Sequence, residues 1–89
     1  MRVIKKDGRI QSLDITKIRN SILAASIDSN TIINEADLKR VSNRVVEVLE
    51  VMRKDEELSS TYEIFAIIIE TLANDGFYDI SVSYLGYKR

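Results

Sequence analysis

The fold is decided by residues 60–76, which read Ser-Thr-Tyr-Glu-Ile-Phe-Ala-Ile-Ile-Ile-Glu-Thr-Leu-Ala-Asn-Asp-Gly. Ser60 and Glu63 have the spacing of a capping box, which marks the start of a helix. Gly76 can adopt the left-handed backbone conformation that commonly ends one. Because apolar residues cover most of the circumference between these points, we expect this helix to be the central and most buried one. Its apolar residues are Ile64, Phe65, Ile67, Ile68, Ile69, Leu72 and Ala73.

Two helices are predicted before this segment and one after it. Asp14 can cap the first, in which apolar residues recur at spacings of three and four, namely Ile15, Ile18, Ile22 and Ala25. Asn34 and Asp37 open the second, whose apolar face comprises Leu38, Val41, Val45, Val48 or Leu49, and Met52. Residues 53–57 are predicted to form a solvated connection. Asp79 can cap a short last helix, which carries Val82, Tyr84 and Tyr87.

The N-terminus is predicted to form a β-hairpin. Residues 3–5 and 9–13 are short segments of β-branched or alternating apolar residues, and they flank Asp7-Gly8, a strong turn signal. A lone hairpin is marginally stable in water, so it should pack on the helices. The predicted fold is therefore α+β and mostly helical, a four-helix bundle capped by an N-terminal β-hairpin. Residues 1–89 are predicted to form a single domain.

The composition excludes several classes of protein. The 89 residues include no Cys and no His, which rules out disulfides, zinc ribbons and hydrolases with a Ser-His-Asp or Cys-His site. No apolar run approaches the ~18–20 residues of a membrane span, so we expect a soluble, cytoplasmic domain without membrane association. The three glycines fit no phosphate-binding loop motif. No catalytic residue and no metal site is predicted.

The charges are distributed unevenly along the chain. Residues 1–19 hold six basic and two acidic side chains and residues 88–89 are both basic, whereas residues 20–87 hold five basic and twelve acidic ones. If folding brings the ends together, they form a positive patch that suits a compact anion better than a long nucleic acid. The alternative is that the terminal charges only aid solubility. No predicted helix has a basic face, which disfavours a helix-turn-helix and direct binding to nucleic acid.

Two sequence motifs, one at each end of the chain, carry a family resemblance. Residues 3–9 read Val-Ile-Lys-Lys-Asp-Gly-Arg and are followed by Asp14 and a Lys-Ile pair at 17–18. Residues 76–79 read Gly-Phe-Tyr-Asp, and residues 84–88 read Tyr-Leu-Gly-Tyr-Lys. Together with the capped helix at 60–64, these segments resemble the ATP-cone family, whose opening is V-x-K-R-D-G-R and whose end is Y-x-x-Y-[RK]. The resemblance covers residues 2–89.

The resemblance implies a regulatory nucleotide-binding module without catalysis. Members of the family occur at the N-terminus of ribonucleotide reductases, where ATP or dATP switches activity through subunit association, and in the repressor of reductase genes. It implies ATP or dATP as ligand, with Mg²⁺ as a candidate companion, and nucleotide-dependent association with a second copy or another protein. Tyr78, Tyr84 and Tyr87 are candidate contact residues, or else pack within the domain. The alternative is a small helical protein-interaction module without a nucleotide.

The resemblance also implies roles for individual residues. The phosphates would be contacted by four cations, Lys5, Lys6, Lys17 and Lys88. The base or sugar would meet Gln11 and Asp14, and Thr61 would form a hydrogen bond at a helix N-terminus. The base pocket would be lined by Val3, Ile18, Phe65 and Tyr84. The chain departs from the family at Lys6, where Arg is usual, at Gln11, where Glu is common, and at Phe65, where a polar residue is frequent.

Overall fold

The computed structural model of the chain describes residues 1–52 and 58–87. The elements in chain order are β1 (Arg2–Ile4), β2 (Ile10–Ser12), α1 (Ile15–Asp28), α2 (Glu35–Met52), β3 (Leu58–Ser60), α3 (Thr61–Asn74) and α4 (Tyr78–Tyr87). The predicted α+β, mostly helical fold is confirmed. The predicted connection at 53–57 and the predicted site residue Lys88 lie outside the described residues. No helix of the described part is both long and apolar enough to cross a membrane.

The four helices form a ring in which each packs against two neighbours. Both α1 and α3 contact α2 and α4. Each helix contributes a completely inaccessible side chain to the core, namely Ile22, Leu49, Leu72 and Ile80. Among the described residues, α3 has the smallest share of exposed positions of the four helices, as predicted, but it lies beside α2 and α4 in the ring and not at its centre. Ile67 and Ile68 of α3 face the core, whereas Phe65 and Ile69 are only half-buried.

Three residues that the helical spacing assigned to apolar faces are exposed. Ile15 lies in the first turn of α1 and Met52 in the last turn of α2, where the neighbouring helices no longer cover them. Ala73 directly follows the buried Leu72, and one residue turns a helix by about 100° away from the core. Amphipathic spacing therefore predicted the core faces of α1 and α2 correctly but extended them too far toward the helix ends, and on α3 it included one residue that points away from the core.

Helix α4 differs from its prediction at both its start and its outer face. It begins at Tyr78, so Asp79 lies inside the first turn and does not cap it. A carboxylate in that turn still interacts favourably with the positive end of the helix dipole. Val82 is exposed, because the core face of α4 is defined by Ile80 and Tyr84 instead. The side chain of Tyr87 lies outside the described part.

The other predicted helix boundaries are confirmed by hydrogen bonds. Three side chains accept from backbone amides of the first turn: Asp14 Oδ1 from Thr16 N at 2.9 Å, Asn34 Oδ1 from Asp37 N at 2.8 Å, and Ser60 Oγ from Glu63 N at 3.1 Å. Gly76 follows α3 with a φ of +90°. Its amide donates to the Ala73 carbonyl at 3.3 Å and the Phe77 amide donates to the Leu72 carbonyl at 2.8 Å, the pattern of a Schellman motif.

The predicted hairpin is part of a three-stranded sheet with β1 at its centre. Strand β1 pairs with β2 in antiparallel and with β3 in parallel orientation. Val3 lies opposite Gln11 on one side and Ser59 on the other. Val3 and Ser59 are buried, so this face of the sheet lies on the helices. The third strand escaped prediction because Leu58–Ser60 has only three residues and leads directly into a helix.

The turn between β1 and β2 requires glycine. The Gly8 amide donates to the Lys5 carbonyl at 3.0 Å, the Lys5 amide donates to the Arg9 carbonyl at 2.8 Å, and Gly8 has a φ of +89°. The carboxylate of Asp7 accepts from the Arg9 amide at 3.1 Å and from Arg9 Nε at 2.6 Å. Asp7 is thus paired with Arg9 within the turn, and Lys5 directly follows β1.

Gly8→Ala should lower the free energy of unfolding by about 1 kcal/mol, because a side chain is strained at positive φ. No atom lies within 4 Å of the added methyl group, so strain is the whole cost. Gly86→Ala is the matched control, since Gly86 lies within α4 and is equally open. There alanine should stabilise by roughly 0.5–1 kcal/mol. Urea denaturation measures both, and equal stability of Gly8→Ala and the parent would contradict the turn geometry.

Candidate functional site

A cleft of about 220 Å³ lies where the sheet meets the N-terminal ends of α1 and α3 and the middle of α4. It is lined by residues from both ends of the chain, namely Val3, Lys5, Gln11, Ser12, Leu13, Asp14, Lys17, Ile18, Ser21, Thr61, Ile64, Ile68 and Tyr84. The fold therefore brings together segments that are up to about eighty residues apart.

The sheet places three side chains toward the cleft by its alternation. Val3 and Lys5 are two residues apart, so both point to the same side of β1, and Gln11 lies directly opposite Val3 on β2. Lys6 lies in the turn after β1 and is not among the residues that line the cleft. Its Nζ lies 5.8 Å from the centre of the Tyr62 ring, a cation–π distance. The adjacent lysines therefore have different surroundings, Lys5 at the cleft and Lys6 at the Tyr62 ring.

Helix α1 contributes one face of its first two turns. Asp14 caps the helix, and Lys17, Ile18 and Ser21 follow at helical spacings of three, four and seven residues. The first turn of α1 contains no acidic residue. Lys17 therefore stands beside the positive end of the helix dipole, and the two together attract an anion.

Helix α3 begins at the opposite wall. Thr61 is its first residue, and its hydroxyl donates to the Ile4 carbonyl at 3.2 Å, which ties the start of α3 to β1. One and two turns further, Ile64 and Ile68 add apolar surface to the cleft. The wall thus changes from polar at the helix N-terminus to apolar below it.

Tyr84 of α4 closes the apolar end of the cleft. Its side chain is 3% exposed, and its hydroxyl oxygen lies 2.9 Å from Ser21 Oγ. Phe65 of α3 packs against its ring, with 5.7 Å between the ring centroids and 31° between the ring planes. The Tyr84 ring is consequently held from two sides, by Ser21 at its hydroxyl and by Phe65 at its face.

The charge of the cleft is positive at its polar end. Lys5 and Lys17 come from separate elements, and neither has an ion-pair partner within residues 1–52 and 58–87, where the ion pairs involve Arg9, Arg40 and Arg44. Asp14 is the only acidic residue among the described residues of the lining. Two cations that are free to bind a ligand thus face one capping carboxylate.

Most predicted site residues meet in this cleft. Eight of them line it, namely Val3, Lys5, Gln11, Asp14, Lys17, Ile18, Thr61 and Tyr84. Phe65 lies behind Tyr84, Lys6 contacts Tyr62, and Lys88 is outside the described part. The prediction omitted Ser12, Leu13, Ser21, Ile64 and Ile68. Helical spacing from Lys17 and Thr61 would have found the last three, whereas Ser12 and Leu13 carry no such signal.

A larger cleft, of about 420 Å³, lies between α2 and α3, and its described lining contains none of the predicted site residues. Among the described lining residues, Arg44 is the single cation and is accompanied by Glu63, Glu70 and Asp75, so their charge disfavours an anion. Within the described residues, no group of three or more acidic side chains could hold a metal ion. The smaller cleft is therefore the better candidate for an anionic ligand.

Comparison with known families identifies the type of domain that contains this cleft. The family model of the ATP cone domain matches residues 1–89, the whole length of the chain. The chain belongs to the ATP-cone family. ATP-cone domains are regulatory modules that bind adenine nucleotides. A search of curated proteins found no match to this chain.

The cleft of this ATP-cone domain is polar at one end and apolar at the other. Lys5 and Lys17 are the cations among its described lining residues, and Tyr84 lies at the apolar end. Gln11 and Asp14 add a polar amide and a carboxylate to the lining.

Proposed function

We propose that this ATP-cone domain binds ATP or dATP in the cleft and acts as a regulatory module without catalysis. The observation that supports this proposal is the convergence of Lys5 and Lys17, from different elements, on one cleft where neither has an ionic partner among the described residues. Charge-assisted hydrogen bonds from lysine to phosphate are roughly twice as strong as neutral ones. A triphosphate supplies the negative charge that these lysines lack.

The triphosphate would lie between Lys5, Lys17 and the N-terminus of α3. The hydroxyl proton of Thr61 is donated to the Ile4 carbonyl, so toward the ligand Thr61 would accept a hydrogen bond from a ribose hydroxyl or a base amino group and would not bind a phosphate oxygen. Lys88 and Lys6 are further phosphate ligands in this proposal. Lys6 would have to leave the Tyr62 ring to take part, and we expect its replacement to weaken binding less than replacement of Lys5.

The base would lie against Val3, Ile18 and Tyr84, with Phe65 supporting the Tyr84 ring from behind. Gln11 and Asp14 would meet the sugar or the base. One oxygen of Asp14 already accepts from the Thr16 amide, but a carboxylate has further lone pairs and can also accept from a ribose hydroxyl. Gln11 can both donate and accept, so it suits either part of the nucleotide.

Mg²⁺ would accompany the triphosphate rather than occupy a protein site of its own. This ion is usually held by one or two carboxylates together with substrate phosphates and water. Asp14 is the carboxylate of the cleft that could serve it. The ion would neutralise phosphate charge. The chain has no Cys and no His to supply a nucleophile or a general base of those types, which supports binding without turnover.

In its wider role, the module would act in the cytoplasm and connect adenine nucleotide levels to ribonucleotide reductase or to the expression of its genes. Its output would be nucleotide-dependent association with a second copy or with another protein. Tyr78 remains a candidate contact residue, because it is exposed and lies with Val82 and Leu85 along the outer face of α4. Tyr84 is not one, since it is buried against the cleft.

The same outer face of α4 supports the alternative function, a helical protein-interaction module without a nucleotide. Tyr78, Val82 and Leu85 follow one another at helical spacing and are all exposed, which gives α4 an apolar outer stripe. Under this alternative, nucleotide would change neither the stability of the domain nor its mass in sedimentation. Under the proposed function, bound nucleotide raises the stability of the domain.

ATP or dATP at 100 times its dissociation constant should stabilise the native domain by ~2.7 kcal/mol, which raises the melting temperature of a domain this size by several degrees. A thermal-shift measurement with millimolar nucleotide tests this. Inorganic tripolyphosphate is the control for charge alone and should produce a smaller shift, because it lacks the base and sugar. A melting temperature that is the same with and without either nucleotide would contradict the proposed function and favour the interaction module.

A further inference from the structure

Strand β2 forms one edge of the sheet. Among the described residues it pairs with β1 on one side, and no strand pairs with its other side. The ladder between the two strands continues beyond their ends, because the Lys5 amide donates to the Arg9 carbonyl and the Leu13 amide donates to the Met1 carbonyl, both at 2.8 Å. Residues 9–13 therefore form one extended edge.

The direction of the backbone groups along this edge follows from those two bonds. In an antiparallel pair, residues that bond to the opposite strand alternate with residues that do not. Arg9 and Leu13 bond to the neighbouring strand, and so does Gln11, midway between them. Ile10 and Ser12 therefore turn their amides and carbonyls away from β1. These groups can pair with a further strand.

The outer face of the hairpin is apolar beside this edge. Ile10 is 54% exposed and lies directly opposite Ile4, which is exposed as well. Both isoleucines are on the face of the sheet opposite to the buried Val3. A strand added beside β2 would place every second side chain on this outer face, next to Ile10. An apolar side chain at that position would cover the isoleucine pair.

The charge of the hairpin determines which segment suits the edge. Residues 1–13 hold four basic side chains and one acidic side chain, and the acidic one, Asp7, is already paired with Arg9. A second copy of this hairpin would bring the same positive charge to the edge, so like charges disfavour pairing between two copies. An acidic segment would instead be attracted by these cations.

We propose that the outer edge of β2 binds an extended acidic segment of a partner protein as an additional strand. Backbone hydrogen bonds to Ile10 and Ser12 provide the affinity, and alternate side chains of the segment provide the specificity. Its apolar side chains cover Ile10 and Ile4, and its acidic side chains interact with the basic hairpin. This surface is separate from the function proposed for the cleft, and the binding requires no nucleotide.

The probe is a short fluorescein-labelled peptide of alternating glutamate and valine, and fluorescence polarisation measures its binding to the whole chain. We expect saturable binding with a dissociation constant below about 1 mM. The same peptide with lysine in place of glutamate should not bind in this range, because its charge has the same sign as that of the hairpin. Two further peptides carry methyl groups on either the valine or the glutamate backbone amides. Only one of these sets faces β2 in an added strand, so one methylated peptide should bind about tenfold more weakly and the other as tightly as the unmodified peptide.

Variants of Ile10 separate the apolar contact from the backbone bonds. Ile10→Ala keeps the outward amide and should weaken peptide binding about fivefold, through lost apolar contact. Ile32→Ala is the matched control, since Ile32 is an exposed isoleucine between α1 and α2, far along the chain from the hairpin, and its loss should leave peptide binding unchanged. Ile10→Pro also removes the outward amide and should weaken binding more than Ile10→Ala does. Proline is tolerated on an edge strand where its missing N–H would face solvent.

Amide hydrogen exchange, followed by NMR, provides a second measurement on the unaltered chain. Without peptide, the Gln11 amide should exchange slowly and the Ile10 amide rapidly, because one bonds to β1 and the other faces outward. Saturating peptide should slow the exchange at Ile10. The proposal is overturned if the glutamate peptide does not bind, if both methylated peptides bind like the unmodified one, or if Ile10 still exchanges rapidly in the complex. The methylated peptides decide the question if Ile10→Pro does not fold.

Discussion

Replacing Lys5 or Lys17 by alanine is expected to weaken ATP binding by ~1.5–3 kcal/mol, about 10- to 150-fold, because each removes a hydrogen bond to a charged group. The two lysines approach the cleft from β1 and α1, so neither can substitute for the other. The double variant should therefore lose more affinity than either single one. Calorimetry or a fluorescent ATP analogue measures these changes.

Lys39→Ala is the matched control for these variants. Lys39 is an exposed lysine on α2 and does not line the cleft, so its loss should leave ATP affinity unchanged. The stability of all variants without ligand should also change little, since exposed charges contribute little to folding. If Lys5→Ala and Lys17→Ala bind ATP as tightly as Lys39→Ala does, the nucleotide does not bind in this cleft.

Leu49→Ala is expected to lower the free energy of unfolding by ~2–5 kcal/mol, because the cavity it leaves cannot close fully in a packed core. Leu49 is completely inaccessible and lies on α2 among core residues of the other helices. Domains of this size have a total stability of only ~5–15 kcal/mol. A loss of this size would leave a large part of the variant unfolded at elevated temperature, which thermal and urea denaturation can follow.

Val51→Ala provides the comparison on the same helix. Val51 lies two residues after Leu49 and is 74% exposed, so its truncation removes little packing and should change stability by no more than about 0.5 kcal/mol. Met52, which the sequence pattern assigned to the core, is exposed as well. Equal effects of the two substitutions would contradict the orientation of α2 in the bundle.

The local signals of the sequence were sufficient to predict the four helices, the hairpin turn and the N-terminal caps of α1, α2 and α3, but not that of α4. Asp14, Asn34 and Ser60 cap helices within three residues of themselves, and Gly76 ends α3 through bonds to the preceding turn. Such interactions depend on neighbours along the chain, which the sequence states directly. Family motifs then predicted most of the cleft, because they associate the hairpin with the start of α1 and the end of the chain.

Only the tertiary structure decided which residues of these elements meet. It added β3 to the hairpin, excluded Lys6 from the lining of the cleft, and placed Ser21 against Tyr84 across 63 positions of sequence. It also showed that α3 lies beside α2 and α4 in the ring and not at its centre. The reason is that local hydrogen bonds determine where a helix or strand begins and ends. The burial of its faces and the contacts of its side chains depend instead on how the elements pack, and no short stretch of this sequence encodes that packing.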